Sequence, residues 1–157
     1  MHQKISISFS YSIFLPIFVT SDNIALSEVT KNTHMKPEEK ARIIIDRMLN
    51  DAGWEVVDRN HYSPEVSAIA VEEGLLKGNR EADYLLFLNG KAVGVLEAKK
   101  ESVSIYSEFV ADQAEKYTRG VPHWCQAWMN PLPLVYLSNG RNCYLEILVR
   151  LILNIFL

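Results

Sequence analysis

The most regular pattern of apolar and polar positions in the chain begins at Pro37. From there Ala41, Ile44, Ile45, Met48, Leu49 and Ala52 recur three and four residues apart, the spacing of a helix with one buried stripe. Pro37 suits a first helical position, and Glu38 and Glu39 fall where the helix dipole favours negative charge. Gly53 can end the helix in the left-handed conformation. Glu38 projects from the edge of the buried stripe and Glu39 points away, so of the two only Glu38 is expected to reach a site beneath the helix.

Strand patterns follow. Trp54 to Val57 reads as a short strand and Val66 to Val71 as a second, carrying Glu72 and Glu73 at its end. Gly74 to Arg80 reads as a polar loop. Tyr84 to Leu88 and Ala92 to Leu96 are almost continuously apolar, which predicts central strands buried on both faces, and Asn89-Gly90-Lys91 between them is a hairpin signal. Ser104 can cap a helix through about Arg119. Pro133 to Leu137 and Asn142 to Leu145 predict two more strands around a Ser138-Asn139-Gly140 turn. The order α-β-β-β-β-α-β-β predicts an α/β fold, a mixed sheet with helices packed on it.

The ends differ from this middle. Residues 5–19 form an apolar run behind Lys4 that imitates the core of a secretory signal, but Pro16 interrupts it and no clear small-residue cleavage site follows. The run is also shorter than the roughly 20 residues of a membrane-spanning helix. Residues 1–34 are therefore expected to be an extension outside the fold, upstream of a true start at Met35. Residues 147–157 are apolar on nearly every side around Arg150, a hydrophobic tail that suits neither an amphipathic helix nor a span. Residues 35–146 remain as a single domain, in keeping with 157 residues that are 48% apolar and 22% charged. A net charge of −3 argues against tight, unaided, non-specific nucleic-acid binding, so any DNA contact is local or supplied by partners. Cys125 and Cys143 lack metal-type spacing and read as reduced thiols of a cytoplasmic protein.

Three polar residues stand out against the central hairpin. Asp83 opens one apolar strand, Glu97 closes the next, and Lys99 follows on the same strand face as Glu97. Alone, a Glu-x-Lys at a strand end is commonly a solvated pair and an Asp before a strand a turn residue. Flanking two buried strands, however, an unpaired carboxylate is costly unless a cation or hydrogen bonds compensate. A hard divalent cation would do so, and such an ion can serve phosphodiester hydrolysis. The register of the hairpin decides whether this is feasible. A plain two-residue turn, with Leu88 facing Lys91, puts Asp83 opposite Leu96 and so on the other sheet face from Glu97. The functional reading requires Asp83 opposite Glu97, most simply through a three-residue loop with Leu88 facing Ala92, or else through a bulge that restores the phase.

The stretch Ala82-Asp83-Tyr84-Leu85-Leu86-Phe87, then Gly90-Lys91-Ala92-Val93-Gly94-Val95-Leu96-Glu97-Ala98-Lys99-Lys100, resembles the catalytic hairpin of the restriction (R) subunits of type I restriction-modification systems, members of the PD-(D/E)XK nuclease superfamily. Upstream, Pro37-Glu38-x-x-Ala41-Arg42-x-x-Ile45-Asp46-x-x-Leu49 with Ala52-Gly53-Trp54 adds to the likeness. Downstream, Gln113-x-x-x-Tyr117 resembles the Q-x-x-x-Y motif of those subunits. The resemblance spans about Met35 to Glu146. It implies a restriction-endonuclease-like mixed β-sheet flanked by helices, with irregular terminal extensions.

It also implies Mg²⁺ bound by Asp83 and Glu97, with the Ala98 carbonyl as a further ligand and Lys99 orienting the attacking hydroxide or the phosphate charge. Glu38 resembles the helix carboxylate that completes such sites, and Gln113 and Tyr117 would lie near the site or the DNA backbone. The implied partners are duplex DNA and the methyltransferase and specificity subunits of a type I complex, with no membrane. R subunits continue into an ATP-driven motor, whereas this sequence has no Gly-rich phosphate-binding loop and hence no ATP site. A catalytically silent, truncated remnant is the alternative reading, and a protein tethered to a membrane by its first 19 residues is a third.

Overall fold

The computed structural model describes residues 35–104, 116–141 and 143–147. The expected extension at 1–34 lies outside them, as do the expected tail at 147–157 apart from Ile147, which ends a strand, Gln113, and most of the helix expected between Ser104 and Arg119; Lys116, Tyr117 and Thr118, near its predicted end, are helical.

Helix α1 spans Pro37–Asp51 and buries Ala41, Ile45 and Leu49, the stripe predicted by periodicity. Glu39 turns back to accept a hydrogen bond from the Lys36 N–H at 3.4 Å, satisfying a donor that the helix start leaves over. At the other end Gly53 has φ 87°, and the Trp54 N–H returns to the Leu49 carbonyl at 2.9 Å.

Seven strands follow: β1 (Glu55–Val57), β2 (Ala68–Leu76), β3 (Arg80–Leu88), β4 (Lys91–Ala98), β5 (Gln126–Ala127), β6 (Leu134–Ser138) and β7 (Cys143–Ile147). They form one mixed sheet in the order β1-β2-β3-β4-β6-β7, with β5 pairing beside β6 on β4. The β1–β2, β4–β5 and β4–β6 pairs are parallel and the others antiparallel. β3 and β4 are central, as their unbroken apolar runs predict. Their alternate residues feed two cores. Tyr84, Leu86, Leu96 and Tyr136 pack with Ile45, Leu49 and Trp54 on the α1 side. Leu85, Phe87, Val95 and Leu137 form the opposite core, against which Tyr62 and Tyr117 lie.

One expectation is corrected, and two short elements are added. The stretch Gly74 to Arg80 is mostly strand: β2 continues to Leu76, which pairs with Arg80, and only residues 77–79 turn. Gly78 at φ 80° and Asn79 at φ 56° supply the left-handed conformations of that turn. Gly74 belongs in the strand because a Cβ there would lie 2.4 Å from Leu85 Cβ, so it marks a close approach of two strands rather than a loop. A short 3₁₀ helix at Arg59–His61, capped by Asp58 accepting from the Asn60 N–H, and the two-residue β5 were not anticipated. Both are too short to leave a periodic signal.

The hairpin meets the requirement of a shared face by the second of the two routes, the bulge. Asn89 (φ 47°) and Gly90 (φ 75°) make a two-residue turn, and Leu88 does face Lys91. The simpler three-residue loop is absent. The ladder then shifts: Phe87 faces Ala92, but Leu86 faces Gly94, leaving Val93 as an extra residue in β4. Beyond this bulge Leu85 faces Val95 and Tyr84 faces Leu96, so the next position along sets Asp83 against Glu97.

Gly94 sits between β3 and β6 just past the bulge, and a Cβ there would lie 2.6 Å from the Leu134 carbonyl oxygen and 2.7 Å from Leu134 Cβ. Because the obstacle is backbone, it cannot move aside cheaply. Gly94→Ala should destabilise the domain by about 2 kcal/mol, seen as a lower urea midpoint. An unchanged midpoint would mean that β4 and β6 stand farther apart than described.

Candidate active site

Where β3 begins and β4 ends, backbone pairing passes into side-chain pairing. The Asp83 N–H points to Glu97 Oε1 at 3.4 Å, and the Ala98 N–H donates to Asp83 Oδ2 at 2.8 Å. The two carboxylates are thus locked together by the strands that carry them. Lys99, the first residue past β4, places its Nζ 3.6 Å from Glu97 Oε2, while its N–H bonds the Ser138 carbonyl at 2.7 Å and continues the β4–β6 pairing. Alternation along β4 puts Glu97 on the same face as Val95, opposite α1.

Tyr117 approaches from that face. It is half-buried against the core that holds Val95 and Leu137, and burial raises its pKa, with the nearby charges of Glu97 and then Asp83 adding to the shift. The segment around it is anchored at both ends: the Leu132 N–H bonds the Thr118 carbonyl at 2.9 Å, and the Lys77 N–H bonds the Gly120 carbonyl.

Of the residues singled out in the sequence, Asp83, Glu97, Ala98 and Lys99 are brought together, and Tyr117 lies close enough to feel both acids. Glu38 is exposed in the first turn of α1 and, among the described residues, has no contact with this group. One helical turn further on, Arg42 occupies the place foreseen for an α1 residue: its guanidinium pairs with Asp83 Oδ1 and lies 3.6 Å from Glu73. The ion pairs continue outward through Arg59, which is 3.9 Å from Glu73 and 3.0 Å from Glu81. A cleft of about 290 Å³ opens beside Asp83, lined by Arg42, Asp58, Arg59, Asn60, Glu72 and Glu73. It adjoins the carboxylate pair without containing it.

In the sequence Arg42 stands only as one position of the Pro37 to Leu49 stretch. Its signal was weak, a basic residue on the flank of a buried stripe. Its partners lie 31 and 41 residues away in sequence, Glu73 in β2 at φ 49° and Asp83 in β3, and no periodicity shows that.

Glu97 is the electrostatic focus. Its carboxyl is 5% exposed, and burial, reinforced by Asp83, pushes its pKa up to about 7 despite the opposing pull of Lys99. This is a buried anion whose compensation is incomplete. Two adjoining carboxylates form a hard-oxygen pair of the kind a divalent cation takes, and such a cation would complete its shell with further oxygen ligands and water. Among the described residues no group of three or more His, Cys, Asp or Glu forms a fuller cage.

A family model described as the type I restriction enzyme EcoKI endonuclease subunit second domain matches residues 60–149, more than half of the chain. The chain belongs to this family. Comparison with curated proteins and with solved structures gives no match. The part matched to the type I endonuclease subunit includes β2 to β7, both carboxylates, Lys99 and Tyr117, and it begins after α1, so Arg42 and Glu38 lie outside it.

The raised pKa of Glu97 has a consequence for stability in the absence of divalent metal. A folded-state pKa above the ordinary value of 4.5 means that Glu97 favours folding most when protonated. Its contribution is fully present below about pH 4.5 and is lost as pH rises through about 7. Glu97→Gln should therefore remove part of the fall in stability across that interval, leaving the variant more stable than the parent at pH 8 in chelator. Parallel stability profiles for the two proteins between pH 4 and 8 would contradict the assignment.

Proposed function

We propose that the chain is a Mg²⁺-dependent endonuclease domain of the PD-(D/E)XK type, hydrolysing DNA phosphodiester bonds within a type I restriction complex in the cytoplasm. The observation that carries this reading is the Val93 bulge. It brings Asp83 and Glu97 into contact at the end of two buried strands, with Lys99 beside them.

In this reading Asp83, Glu97 and the Ala98 carbonyl would hold the cation, which would supply an activated water and charge neutralisation at the phosphate. Lys99, fixed through its backbone to β6, holds its ammonium against Glu97 and beside the attacking oxygen. Tyr117 faces the DNA backbone, and Gln113, which lies outside the described residues, is assigned to the same role by the Q-x-x-x-Y motif alone. Glu38 would join only if the first turn of α1 drew closer on DNA binding. The hairpin sets the distance between the acids before substrate arrives, so little reorganisation is needed at the reacting centre.

Electrostatics support dependence on partners. With a net charge of −3 the chain attracts duplex DNA weakly, and delivery falls to the methyltransferase and specificity subunits of the complex. Among the described residues no helix is long and apolar enough to cross a membrane. The sequence has no nucleotide-binding loop. The silent remnant would keep the same metal site and differ only in failing to cut.

Calorimetry with Mn²⁺ or Mg²⁺ tests the site directly. Asp83→Ala and Glu97→Ala should each abolish binding, and Lys99→Ala should retain it while lowering any cleavage by roughly 10²-fold or more; unchanged affinity in both carboxylate variants would remove the assignment. The chain by itself should nick DNA slowly or not at all and should not hydrolyse ATP. Efficient ATP-independent cutting at physiological salt would show that it needs no partner.

A further inference from the structure

Arg42 is held in position by contacts other than its own. Four residues along α1, Asp46 accepts a 2.6 Å hydrogen bond from the Tyr84 hydroxyl, and Ile45 and Leu49 are fully buried beside it. Tyr84 is the neighbour of Asp83 in β3. The helix is therefore pinned to the strand at residue 84, and this fixes where the Arg42 side chain starts without requiring where it ends. Its guanidinium is one-third exposed and has two carboxylates within reach, Asp83 and the more exposed Glu73.

Charge counting shows what this arrangement does. Arg42 stands on Asp83 and Lys99 on Glu97, so each of the two acids has a cationic neighbour with no metal present, although Arg42 is shared with Glu73 and Glu97 stays incompletely compensated. A divalent cation entering at Asp83 would stand beside a guanidinium on the same carboxylate. Like charges about 4 Å apart repel strongly in a partly buried setting. One of the resident cations has to give way. Lys99 follows directly on β4 and has no other carboxylate partner among the described residues, whereas Arg42 already touches a second one.

We propose that Arg42 is the counter-cation of the metal-free site, and that a divalent cation binds by displacing it from Asp83 onto Glu73, at the mouth of the adjoining cleft. Displaced there, the guanidinium sits beside Arg59 at the rim of that cleft, where a DNA phosphate can take it up. Occupancy of the metal site is thereby coupled to a basic group that faces the substrate. The inference rests on the proposed metal site at Asp83 and Glu97 and adds a competitor for it.

The test is isothermal titration of Mn²⁺ into the full chain and into Arg42→Gln, Arg42→Lys, Glu73→Gln and Asp83→Asn, with thermal melting as a check on folding. Removing the competitor should make Arg42→Gln bind roughly tenfold tighter, the size of one charge-assisted contact, with Arg42→Lys in between. Removing the alternative partner should make Glu73→Gln bind severalfold weaker. Glu73 is exposed, so this second arm stands even if Arg42→Gln folds poorly. Equal or weaker binding by a folded Arg42→Gln, or unchanged or tighter binding by Glu73→Gln, overturns the proposal. Metal binding that persists in Asp83→Asn, or is absent from every variant, overturns the metal site together with it. Binding that is lost in Asp83→Asn yet indifferent to Arg42 and Glu73 overturns the displacement alone.

Discussion

The phase of one hairpin governs what this domain can do. Side chains alternate along a strand, so a single-residue change of register exchanges the faces of everything beyond it. The Asn89-Gly90 turn, with both residues left-handed, is the connection that best matches the twist of two antiparallel strands. By itself it would put Asp83 and Glu97 on opposite sides of the sheet. Val93 reverses that outcome. It is buried in the α1-side core, where its side chain fills space, and the extra backbone unit it contributes to β4 moves every later residue by one. The favoured turn and the required pairing of acids are thus reconciled by one bulge, in keeping with the tendency of bulges to lie next to active sites.

Once paired, the acids impose demands on their surroundings. Glu97 is nearly inaccessible and Asp83 only partly exposed, so the neighbourhood must supply positive charge or hydrogen-bond donors. Backbone N–H groups supply part of this, from Asp83 to Glu97 and from Ala98 to Asp83. Arg42 and Lys99 supply the rest, one from the helix and one from the strand. Glu97 remains protonated more readily than a free carboxylate, the physical sign that these partners do not fully replace water. On the proposed function, this is the place where a divalent cation would be taken up.

Much of this was legible in the sequence, for identifiable reasons. α1 and the central strands were readable because burial on one face, or on two, leaves a period in the residues. Asp83, Glu97 and Lys99 could be singled out because charge beside unbroken apolar strands is costly. The hairpin register was open, since Asn89-Gly90-Lys91 is compatible with either loop length, and a bulge within Ala92-Val93-Gly94 leaves no mark in a run that is apolar throughout. Arg42 was hidden for a different reason. Its role depends on the distance between a helix flank and two strands, and Glu38, the more obvious acid one turn earlier, faces solvent instead.

The balance of charge also bears on why such a domain would work inside a larger complex. Its ion pairs run from the part-buried site to the surface in an alternating chain, Asp83 to Arg42 to Glu73 to Arg59 to Glu81, so basic groups beside the cleft are already engaged with acids. A phosphate approaching this surface must compete with those acids, and the long-range field of a chain with more acids than bases does not assist it. Local complementarity can orient DNA that has been brought close, but it gives little help in capturing DNA from solution. On the proposed function, the chemistry assigned to the paired acids and the delivery of DNA to them are physically separable, and an acidic domain could carry the first while other subunits supplied the second.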